Sequence, residues 1–377
     1  MAFLHFDNVR IAAMTGALPE HVQKIDCDPQ HPRAAYIANF VKQTGVRQRH
    51  ISLTEQTATD LGYTALCRAL DKAGWDAQSL DVLVFMSQTP DFNPSTGNAH
   101  VLHNHMKLGD HVLAFDITLG CSSFPYGLSV CASLLQQAHI NRIAMVSGDT
   151  LWPQYASPEA ILADPIFLFG EGATATLFEK SDMSPIDITL HTDGSGYYFL
   201  YDPWNGFRNK WRHFKGILPN GEIYQGGVYM DGMEIMSFST MRVVDTIKAF
   251  LDRLGKNIED YDGMVLHQAN MQIIKTIARR LKADKSKVPT TLDHLGNTSG
   301  ASTTLTMVDA YANSQKSPLR LLISSFGVGL SWGVVSLSLD PAVIAPMVTC
   351  SNRFEEDFLK PIPHPSTKER DKEWRAL

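Results

Sequence analysis

Three short segments hold the side chains that could carry out covalent chemistry. Cys121 lies in the segment FDITLGCSSF, His267 in VLHQAN and Asn297 in LGNTSG. A cysteine can hold an acyl group as a thioester. A histidine and an asparagine can donate hydrogen bonds to an oxygen on which negative charge develops. Together the three segments predict an enzyme that works through a covalent thioester.

The residues around Cys121 predict its place in the fold. The apolar run 112–115 predicts a strand and 122–137 a helix, which puts Cys121 at the N-terminus of that helix. The helix dipole and the unpaired N–H groups there favour an anion, so we expect a thiol that ionises readily. Most single cysteines are instead small buried side chains, and Cys131, in the middle of the predicted helix, is interpreted as one of these.

His267 and Asn297 each follow a recognisable local pattern. His267 ends an apolar run that predicts a buried strand, and Asn270 is placed to cap the next helix. Open α/β sheets bind ligands at the carboxyl ends of their strands, where His267 would lie. Asn297 falls in a glycine-bounded turn. Taken singly, each could be a core histidine or an ordinary loop asparagine; the HQAN segment favours a functional histidine.

The chain also contains an internal repeat. Residues 71–86 match 252–267 at an offset of 181, and residues 121–147 match 299–325 at an offset of 178. The first pair predicts a helix end, a glycine stop, a loop and a buried strand, and the second a helix running into a strand. Apolar strands that alternate with helices predict an α/β fold of parallel sheets covered on both faces.

These motifs resemble the ketoacyl-ACP synthase III branch of the thiolase superfamily. The resemblance covers residues 1–340 and implies an α/β, thiolase-like fold, a duplicated βαβαβ core that forms a five-layered αβαβα body. We expect an N-terminal half at 1–180 that carries the cysteine and a C-terminal half at 181–340 that carries the histidine and asparagine. Residues 341–377 are expected to form a tail without chemistry.

The resemblance also implies roles for the three side chains. Cys121 would take the acyl group, and His267 and Asn297 would hydrogen-bond a malonyl thioester carbonyl and stabilise the enolate formed on loss of CO₂. The implied reaction is decarboxylative Claisen condensation, which gives a β-ketoacyl thioester in fatty acid or specialised metabolite biosynthesis. No cofactor or metal is implied, since CoA or phosphopantetheine thioesters are the substrates.

Further residues receive roles from the same resemblance. The loop FGVGLSWG after a long strand would supply the oxyanion hole, and Val328 stands where the family usually has the second of three glycines. The expected oxyanion groups are the backbone N–H groups of Cys121, Val328 and Gly329. The expected substrate-binding residues are Asn270, Phe326 and Gly327.

The chain departs from the family at positions that recognise coenzyme A or carrier protein. Asn39 and Gln43 replace a stacking tryptophan and an arginine, and Ala163 aligns with the second arginine of the adenine clamp. Ser237 replaces a lysine at the tunnel mouth, and Gln272 replaces an arginine that docks the carrier protein. Each lost contact is worth about 1 kcal/mol or more. We therefore expect a specialised member, fed by carrier-bound acyl groups, rather than the housekeeping enzyme.

Two segments could contact partners. The predicted helix 270–282 carries Lys275, Arg279, Arg280 and Lys282, which could steer an acidic carrier protein or form a solvated face. The aromatic segment 197–215 could grip a pantetheine arm, cap an acyl tunnel or pack at a dimer interface. The resemblance implies a homodimer that pairs its N-terminal halves across a two-fold axis.

Composition narrows the class of protein. The 377 residues are 44% hydrophobic, with a net charge of -6 and five cysteines without metal-ligand or Cys-x-x-Cys spacing. A basic surface for nucleic acid and a disulfide framework are therefore not expected. The first residues lack the pattern of a signal peptide, and no apolar run is long enough to span a bilayer. We expect a cytoplasmic protein with no membrane or nucleic-acid partner.

Other functions remain alternatives. The same acyl-enzyme could pass its acyl group to a hydroxyl, an amine or a carrier thiol without condensation, with His267 as general base. A Cys-His-Asn hydrolase would not explain the internal repeat. A non-catalytic partner subunit would be expected to lack the cysteine or the histidine.

Overall fold

The computed structural model describes residues 2–25, 30, 34–52, 56–92, 96–150, 166–181, 185–202, 216–217, 223–224 and 228–355. The predictions for Ala163, for most of the segment 197–215 and for the end of the tail lie outside these residues.

The described helices are α1 (Ala34–Thr44), α2 (Ala58–Ala73), α3 (Asn98–His105), α4 (Ser123–Leu134), α5 (Gly232–Leu254), α6 (Met271–Arg280), α7 (Leu292–Leu295) and α8 (Ser302–Tyr311). The described strands are β1 (Ala2–Phe6), β2 (Val9–Pro19), β3 (Val22–Lys24), β4 (Gln48–His50), β5 (Val82–Met86), β6 (Leu113–Ile117), β7 (Arg142–Asp149), β8 (Gly172–Lys180), β9 (Ile186–Thr192), β10 (Leu200–Tyr201), β11 (Gly216–Ile217), β12 (Ile223–Tyr224), β13 (Tyr229–Met230), β14 (Gly263–Leu266), β15 (Leu319–Gly327), β16 (Ser331–Leu339) and β17 (Val348–Cys350).

Two large sheets and three helical layers build the body. One sheet has the strand order β17-β2-β8-β7-β5-β6 and the other the order β1-β9-β16-β15-β14. Helices α4 and α8 pack in the shared core between the sheets. Helices α2 and α3 cover the outer face of the first sheet, and α5 and α6 cover the outer face of the second. The result is the αβαβα layering that we predicted.

Strand β5 shows why the layers form. Val82, Val84 and Met86 pack into the core between the sheets. Leu83 and Phe85 point the other way, into the core beneath α2 and α3. A strand that is apolar on both faces has to be covered on both faces, because side chains alternate along it.

The elements repeat at the offsets that the sequence indicates. Gly74 ends α2 and Gly255 ends α5, both in the left-handed conformation with φ of 67° and 62°. Each is followed by a short 3₁₀ turn and a buried strand, β5 in one case and β14 in the other. Likewise α4 leads to β7, and α8 leads to β15. Glycine suits such a helix end because a left-handed residue with a Cβ is strained.

The prediction of parallel sheets was only partly correct. Strand β5 runs parallel to β6 and β7, and β14 runs parallel to β15. Strands β8 and β16, however, pair antiparallel with their neighbours. The long strand before the glycine loop is thus followed by another strand, and the loop is the tight turn of the β15–β16 hairpin.

The first and last strands of the chain belong to different sheets. Strand β1 pairs with β9 in the five-stranded sheet, and β17 pairs with β2 in the six-stranded sheet. The start of the predicted tail therefore packs against the body. The division of the chain at residues 180 and 340 stays a prediction.

Within the described residues, no helix is both long and apolar enough to cross a membrane.

Candidate active site

Cys121 lies between a strand and a helix, as the sequence predicts. Strand β6 ends at Ile117, and α4 begins at Ser123 with Ser122 as its N-cap. The cysteine precedes the first helical turn and is only 7% exposed. Cys131, by contrast, is fully buried within α4, as expected of a core residue. At this position the thiol has polar neighbours from distant parts of the chain, among them Asp149 and Ser299.

The hairpin turn between β15 and β16 is in direct contact with Cys121. A Cβ atom on Gly327 would lie 2.4 Å from the Cys121 Cβ and 3.1 Å from its Sγ, so glycine is required there. The backbone N–H groups of Cys121 and Val328 both lower the pKa of the Cys121 thiol, as donors near the sulfur do. Gly329 adopts a φ of +133°, which only glycine adopts readily. Its role as an oxyanion donor stays a prediction.

The expectation that the Cys121 thiol ionises readily is wrong. Burial, followed by the charge of Asp149, raises the pKa of this thiol to about 12. Hydrogen bonds from the Ser299 hydroxyl and from the two backbone N–H groups act in the opposite direction without overcoming it. Desolvation outweighs the favourable position near a helix N-terminus because a buried thiolate loses its hydration.

His267 lies at the carboxyl end of β14 and is 1% exposed. Its Nδ1 lies 2.6 Å from the Ser302 Oγ, and its backbone N–H donates to the Ser324 carbonyl at 2.9 Å. The imidazole packs edge-to-face against the Phe326 ring, with 5.5 Å between the ring centroids. Burial lowers the pKa of His267 to about 3, so the side chain is neutral at physiological pH.

Asn297 lies in the turn before α8 and is 4% exposed. Its backbone N–H donates to the Leu168 carbonyl at 2.8 Å, and its carbonyl accepts from the Gly170 N–H at 3.0 Å. The side-chain Oδ1 accepts a hydrogen bond from the Ser299 N–H at 2.9 Å. This contact sets the orientation of the amide, because an N–H donor requires the oxygen on that side and leaves Nδ2 on the other.

Two links connect the segments of the three predicted residues. Ser299, two residues after Asn297, lowers the pKa of the Cys121 thiol. Phe326, which packs on His267, is followed by the glycine that abuts Cys121. These two links connect Cys121 with the segments that carry Asn297 and His267, although the three residues come from distant parts of the chain.

The predicted substrate-binding residues occupy different settings. Phe326 is 2% exposed, and its ring forms one wall beside His267. Asn270 caps α6 as predicted, because its side chain accepts a hydrogen bond from the Gln272 N–H at 2.7 Å.

On α1, the Gln43 amide donates to the Asn39 side chain at 3.4 Å. The two residues predicted to replace the adenine clamp therefore contact each other.

Three residues of the site were missed by the sequence analysis: Asp149, Ser299 and Ser302. Asp149 ends β7 at the carboxyl edge of its sheet, the same kind of position that singled out His267. Applying that rule to every strand would have found the aspartate. Ser299 and Ser302 carry no such mark, since serine is common in turns and helix starts.

Two family profiles match the chain. One is 3-oxoacyl-[acyl-carrier-protein (ACP)] synthase III over residues 115–194, which include Cys121. The other is 3-oxoacyl-[acyl-carrier-protein (ACP)] synthase III C terminal over residues 251–339, which include His267 and Asn297.

Whole-chain comparisons give the same result. The chain is 30% identical over 303 residues to a beta-ketoacyl-[acyl-carrier-protein] synthase III of Prochlorococcus marinus (strain MIT 9215), covering 77% of this chain and 85% of that protein. It is 33% identical over 304 residues to the protein of the same name from Xanthomonas campestris pv. campestris (strain 8004), covering 77% and 86%. The crystal structure of a 3-oxoacyl-(acyl-carrier protein) synthase from Burkholderia xenovorans LB400 superposes with a TM-score of 0.82 at 29% identity, covering 93% of this chain and 99% of that one. The predicted thiolase-like α/β fold is confirmed.

Proposed function

The chain belongs to the 3-oxoacyl-[acyl-carrier-protein] synthase III family of thiolase-fold acyltransferases, and from this premise we propose how its site works. The proposed reaction is the decarboxylative Claisen condensation of an acyl group on Cys121 with a malonyl thioester. The observation that carries the proposal is the position of the Cys121 sulfur. The sulfur lies against the turn at Gly327, and the preceding residue, Phe326, packs on His267. Ser299, two residues after Asn297, and the backbone N–H groups of Cys121 and Val328 all lower the pKa of the thiol.

The first half-reaction forms the acyl-enzyme. The sulfur of Cys121 attacks the carbonyl carbon of the acyl donor, and the carrier thiolate leaves. The N–H groups of Cys121 and Val328 stabilise the oxyanion of the tetrahedral intermediate, a role supported by the fact that both lower the pKa of the Cys121 thiol. Backbone donors need no side chain, so valine in the middle of the glycine loop keeps this function.

The second half-reaction needs donors rather than a base. The Ser302 hydroxyl accepts from the Gln268 N–H at 3.4 Å and lies 2.6 Å from the His267 Nδ1. A hydroxyl that accepts one hydrogen bond can donate its own proton to Nδ1, which leaves the imidazole proton on Nε2. The Nε2–H of His267 and the Nδ2 amide of Asn297 then stabilise the enolate that forms when the malonyl group loses CO₂.

The alternative, acyl transfer without condensation, would use His267 as a general base. A histidine that receives a proton is usually stabilised by a carboxylate. Here its Nδ1 partner is the neutral Ser302 hydroxyl, and burial holds the pKa of the imidazole at about 3. Both features disfavour an imidazolium, so condensation is the better interpretation.

We propose that the acyl donor is bound to a carrier protein. The adenine clamp of the family is replaced by Asn39 and Gln43 on α1, which removes the ring that would stack and the charge that would pair with phosphate. Helix α6 buries Ile273, Ile274 and Ile277 and exposes the basic side chains Lys275, Arg279 and Arg280. Lys282 is exposed just beyond the end of the helix. An exposed basic face can steer an acidic carrier protein even though Gln272 stands where the family has its docking arginine.

We also propose a homodimer. Strand β6 is an edge strand of the six-stranded sheet, with β5 as its partner among the described residues, and its Leu113 is 49% exposed. An exposed strand edge of this kind tends to pair with another chain. Sedimentation should give a dimer mass for the wild type and a monomer mass for Leu113→Asp. A monomeric wild type would contradict the proposal.

Intact-protein mass spectrometry tests the function. The enzyme is incubated with a panel of acyl thioesters on CoA and on carrier protein, then with a malonyl thioester. We expect Cys121 to gain an acyl mass, preferentially from carrier-bound donors, and to release it as a β-ketoacyl thioester. The Cys121→Ala variant should gain no mass, whereas Cys131→Ala should behave like the wild type.

The other outcomes are equally clear. An acyl-enzyme that does not react with malonyl thioester, but does react with an alcohol, amine or thiol, would favour plain acyl transfer. Efficient acylation by acetyl-CoA at low micromolar concentration would contradict the carrier-bound donor. An acyl mass that persists in Cys121→Ala would remove Cys121 as the nucleophile.

A further inference from the structure

A buried carboxylate lies beside the nucleophile and has no part in the reaction as described so far. Asp149 ends β7 and is 6% exposed. Its Oδ1 accepts from the Gln88 N–H at 2.7 Å and from the Ser87 and Thr89 hydroxyls at 3.0 and 3.2 Å, and its Oδ2 accepts from the Gly300 N–H at 3.3 Å. No lysine, arginine or histidine forms an ion pair with it in the described part of the chain.

Ser299 connects this carboxylate with the nucleophile. The Ser299 side chain lowers the pKa of both Asp149 and the Cys121 thiol, which places its hydroxyl near both groups. The backbone N–H of the next residue, Gly300, donates to the Asp149 Oδ2 at 3.3 Å. A Cβ atom on Gly120, the residue before the nucleophile, would lie 2.9 Å from the Ser299 Oγ, which places that hydroxyl at the same turn. Ser299 holds a left-handed backbone with φ of 47°. A serine in this conformation is strained, and strain of this kind concentrates at functional sites.

We propose that Asp149 is a positioning residue that accepts the Cys121 proton through the Ser299 hydroxyl when the acyl-enzyme forms. The thiol proton passes to the Ser299 Oγ as the Ser299 proton passes to an Asp149 carboxylate oxygen. The thiolate then attacks the thioester carbonyl, and the carrier thiolate is expelled. Asp149 returns its proton through Ser299 to that leaving thiolate, so that one thioester has been exchanged for another.

The charge balance of the buried site supports this route. Transfer to Asp149 moves one negative charge from a carboxylate to a thiolate and creates no additional buried charge. Loss of the proton to water would leave two anions in contact with one hydroxyl, which is costly in a desolvated site. The remaining partners of Asp149, which are Ser87, Gln88, Thr89 and Gly300, are neutral, so they do not compete for the proton.

His267 is a poor acceptor for the same proton. Burial lowers its pKa to about 3, whereas burial raises the pKa of Asp149 above the usual carboxyl range. A carboxyl group with a raised pKa retains a proton better than an imidazole with a lowered one. Cys121 and Asp149 should therefore titrate as a coupled pair that shares one negative charge.

The inference deepens the proposed function and rests on it for the acyl-transfer step, but alkylation of Cys121 tests the pair without any acyl donor. The rate of reaction with iodoacetamide is measured from pH 6 to 9 and assigned to Cys121 by peptide mass. In the wild type, Cys121 and Asp149 share one proton, and the fraction of Cys121 present as thiolate depends on how that proton is divided between them. We therefore expect an alkylation rate that is nearly independent of pH. In Asp149→Asn the thiolate forms only by loss of a proton to water, so the rate should rise about tenfold per pH unit.

The variants also separate the two half-reactions. Asp149→Asn and Ser299→Ala should each slow formation of the acyl-enzyme by about 10² to 10⁴-fold. The double variant should be no slower than either, because both substitutions break the same link. Decarboxylation of malonyl thioester should stay near the wild-type rate, since it depends on His267 and Asn297.

Asp187→Asn is the matched control, because Asp187 is also 6% exposed but hydrogen-bonds to His5 on β1 and has no effect on the pKa of Cys121. It should keep the wild-type pH profile. The proposal is overturned if the wild-type rate itself rises tenfold per pH unit, or if Asp149→Asn keeps a flat profile. The proposal is also overturned if acyl-enzyme formation and decarboxylation slow by the same factor in these variants. If Asp149→Asn does not fold, Ser299→Ala, which removes one hydroxyl, decides by the same criteria.

Discussion

Gly327 and Cys121 are in direct contact across the interface between the two sheets. The space for a Cβ atom on Gly327 is taken by the Cys121 Cβ, which would be 2.4 Å away. The backbone N–H of the next residue, Val328, lowers the pKa of the Cys121 thiol. The close approach of the hairpin turn and the position of the proposed oxyanion donor are therefore two consequences of one glycine.

The Gly327→Ala variant should separate the turn from the nucleophile. The added methyl group must displace Cys121 or the turn, at a cost of about 1–3 kcal/mol in the free energy of unfolding. We expect acyl-enzyme formation to fall strongly because the Val328 N–H moves away from the oxyanion. Mass spectrometry of quenched acylation reactions gives the rate of acyl-enzyme formation, and urea unfolding gives the free energy of unfolding.

Gly232→Ala is the control for that experiment. Gly232 is the first residue of α5, and a Cβ there would meet nothing within 4 Å. It should leave acylation unchanged and stability equal or slightly higher. Full acylation in Gly327→Ala would show that the turn can move without consequence.

The Ser302→Ala variant should weaken the second half-reaction alone. It removes the hydroxyl that lies 2.6 Å from the His267 Nδ1, so the imidazole proton is no longer directed to Nε2. A hydrogen bond of about 0.5–1.5 kcal/mol corresponds to a decarboxylation rate that is roughly two- to tenfold lower. The release of CO₂ from malonyl thioester measures the effect.

Thr303→Val is a matched control in the same helix, because its hydroxyl pairs with Ser325 at 2.7 Å and not with His267. It should leave decarboxylation near the wild-type rate. Equal losses in both variants would assign the effect to packing of α8 rather than to the histidine.

The stability of the protein should fall with acid because of His267. Its pKa is about 3 in the folded protein, against 6.5 as the reference for the unfolded chain. Above pH 6.5 both states are neutral, and as the pH falls from 6.5 towards 3 only the unfolded state binds the proton. The free energy of unfolding should therefore fall by up to about 1.4 kcal/mol per pH unit. Urea unfolding at pH 7 and pH 5 should show a shallower loss for His267→Gln, and identical slopes would contradict the assigned pKa.

His294 should act in the opposite pH range. Hydrogen bonds to Asp309 and Asp293 raise its pKa to about 9. A raised pKa stabilises the folded state fully below pH 6.5, and the contribution is lost as the pH rises from 6.5 to 9. The melting temperature of His294→Gln should be below that of the wild type at pH 6 and approach it near pH 9.5. A constant difference between the two proteins would contradict the prediction.

Local patterns in the sequence account for most of the fold. Gly74 and Gly255 predicted two equivalent helix ends, and both glycines adopt the left-handed conformation there. The apolar runs predicted the strands that end at Met86 and Leu266. The antiparallel direction of β8 and β16 was not predictable in this way, since strand direction depends on pairing partners and leaves no mark on apolar periodicity.

The sequence by itself determined which side chains are present for the chemistry: a cysteine after a strand, a histidine at a strand end and an asparagine in a glycine-bounded turn. It also determined the duplicated α/β fold. Only the tertiary structure decided the electrostatics of the site. Burial and the charge of Asp149 raise the pKa of Cys121, against the expectation from its helix position, and Ser299 lowers the pKa of both residues. The physical reason is that desolvation and hydrogen bonding depend on neighbours distant in the chain, whereas helix ends and apolar runs are set by residues close together in it.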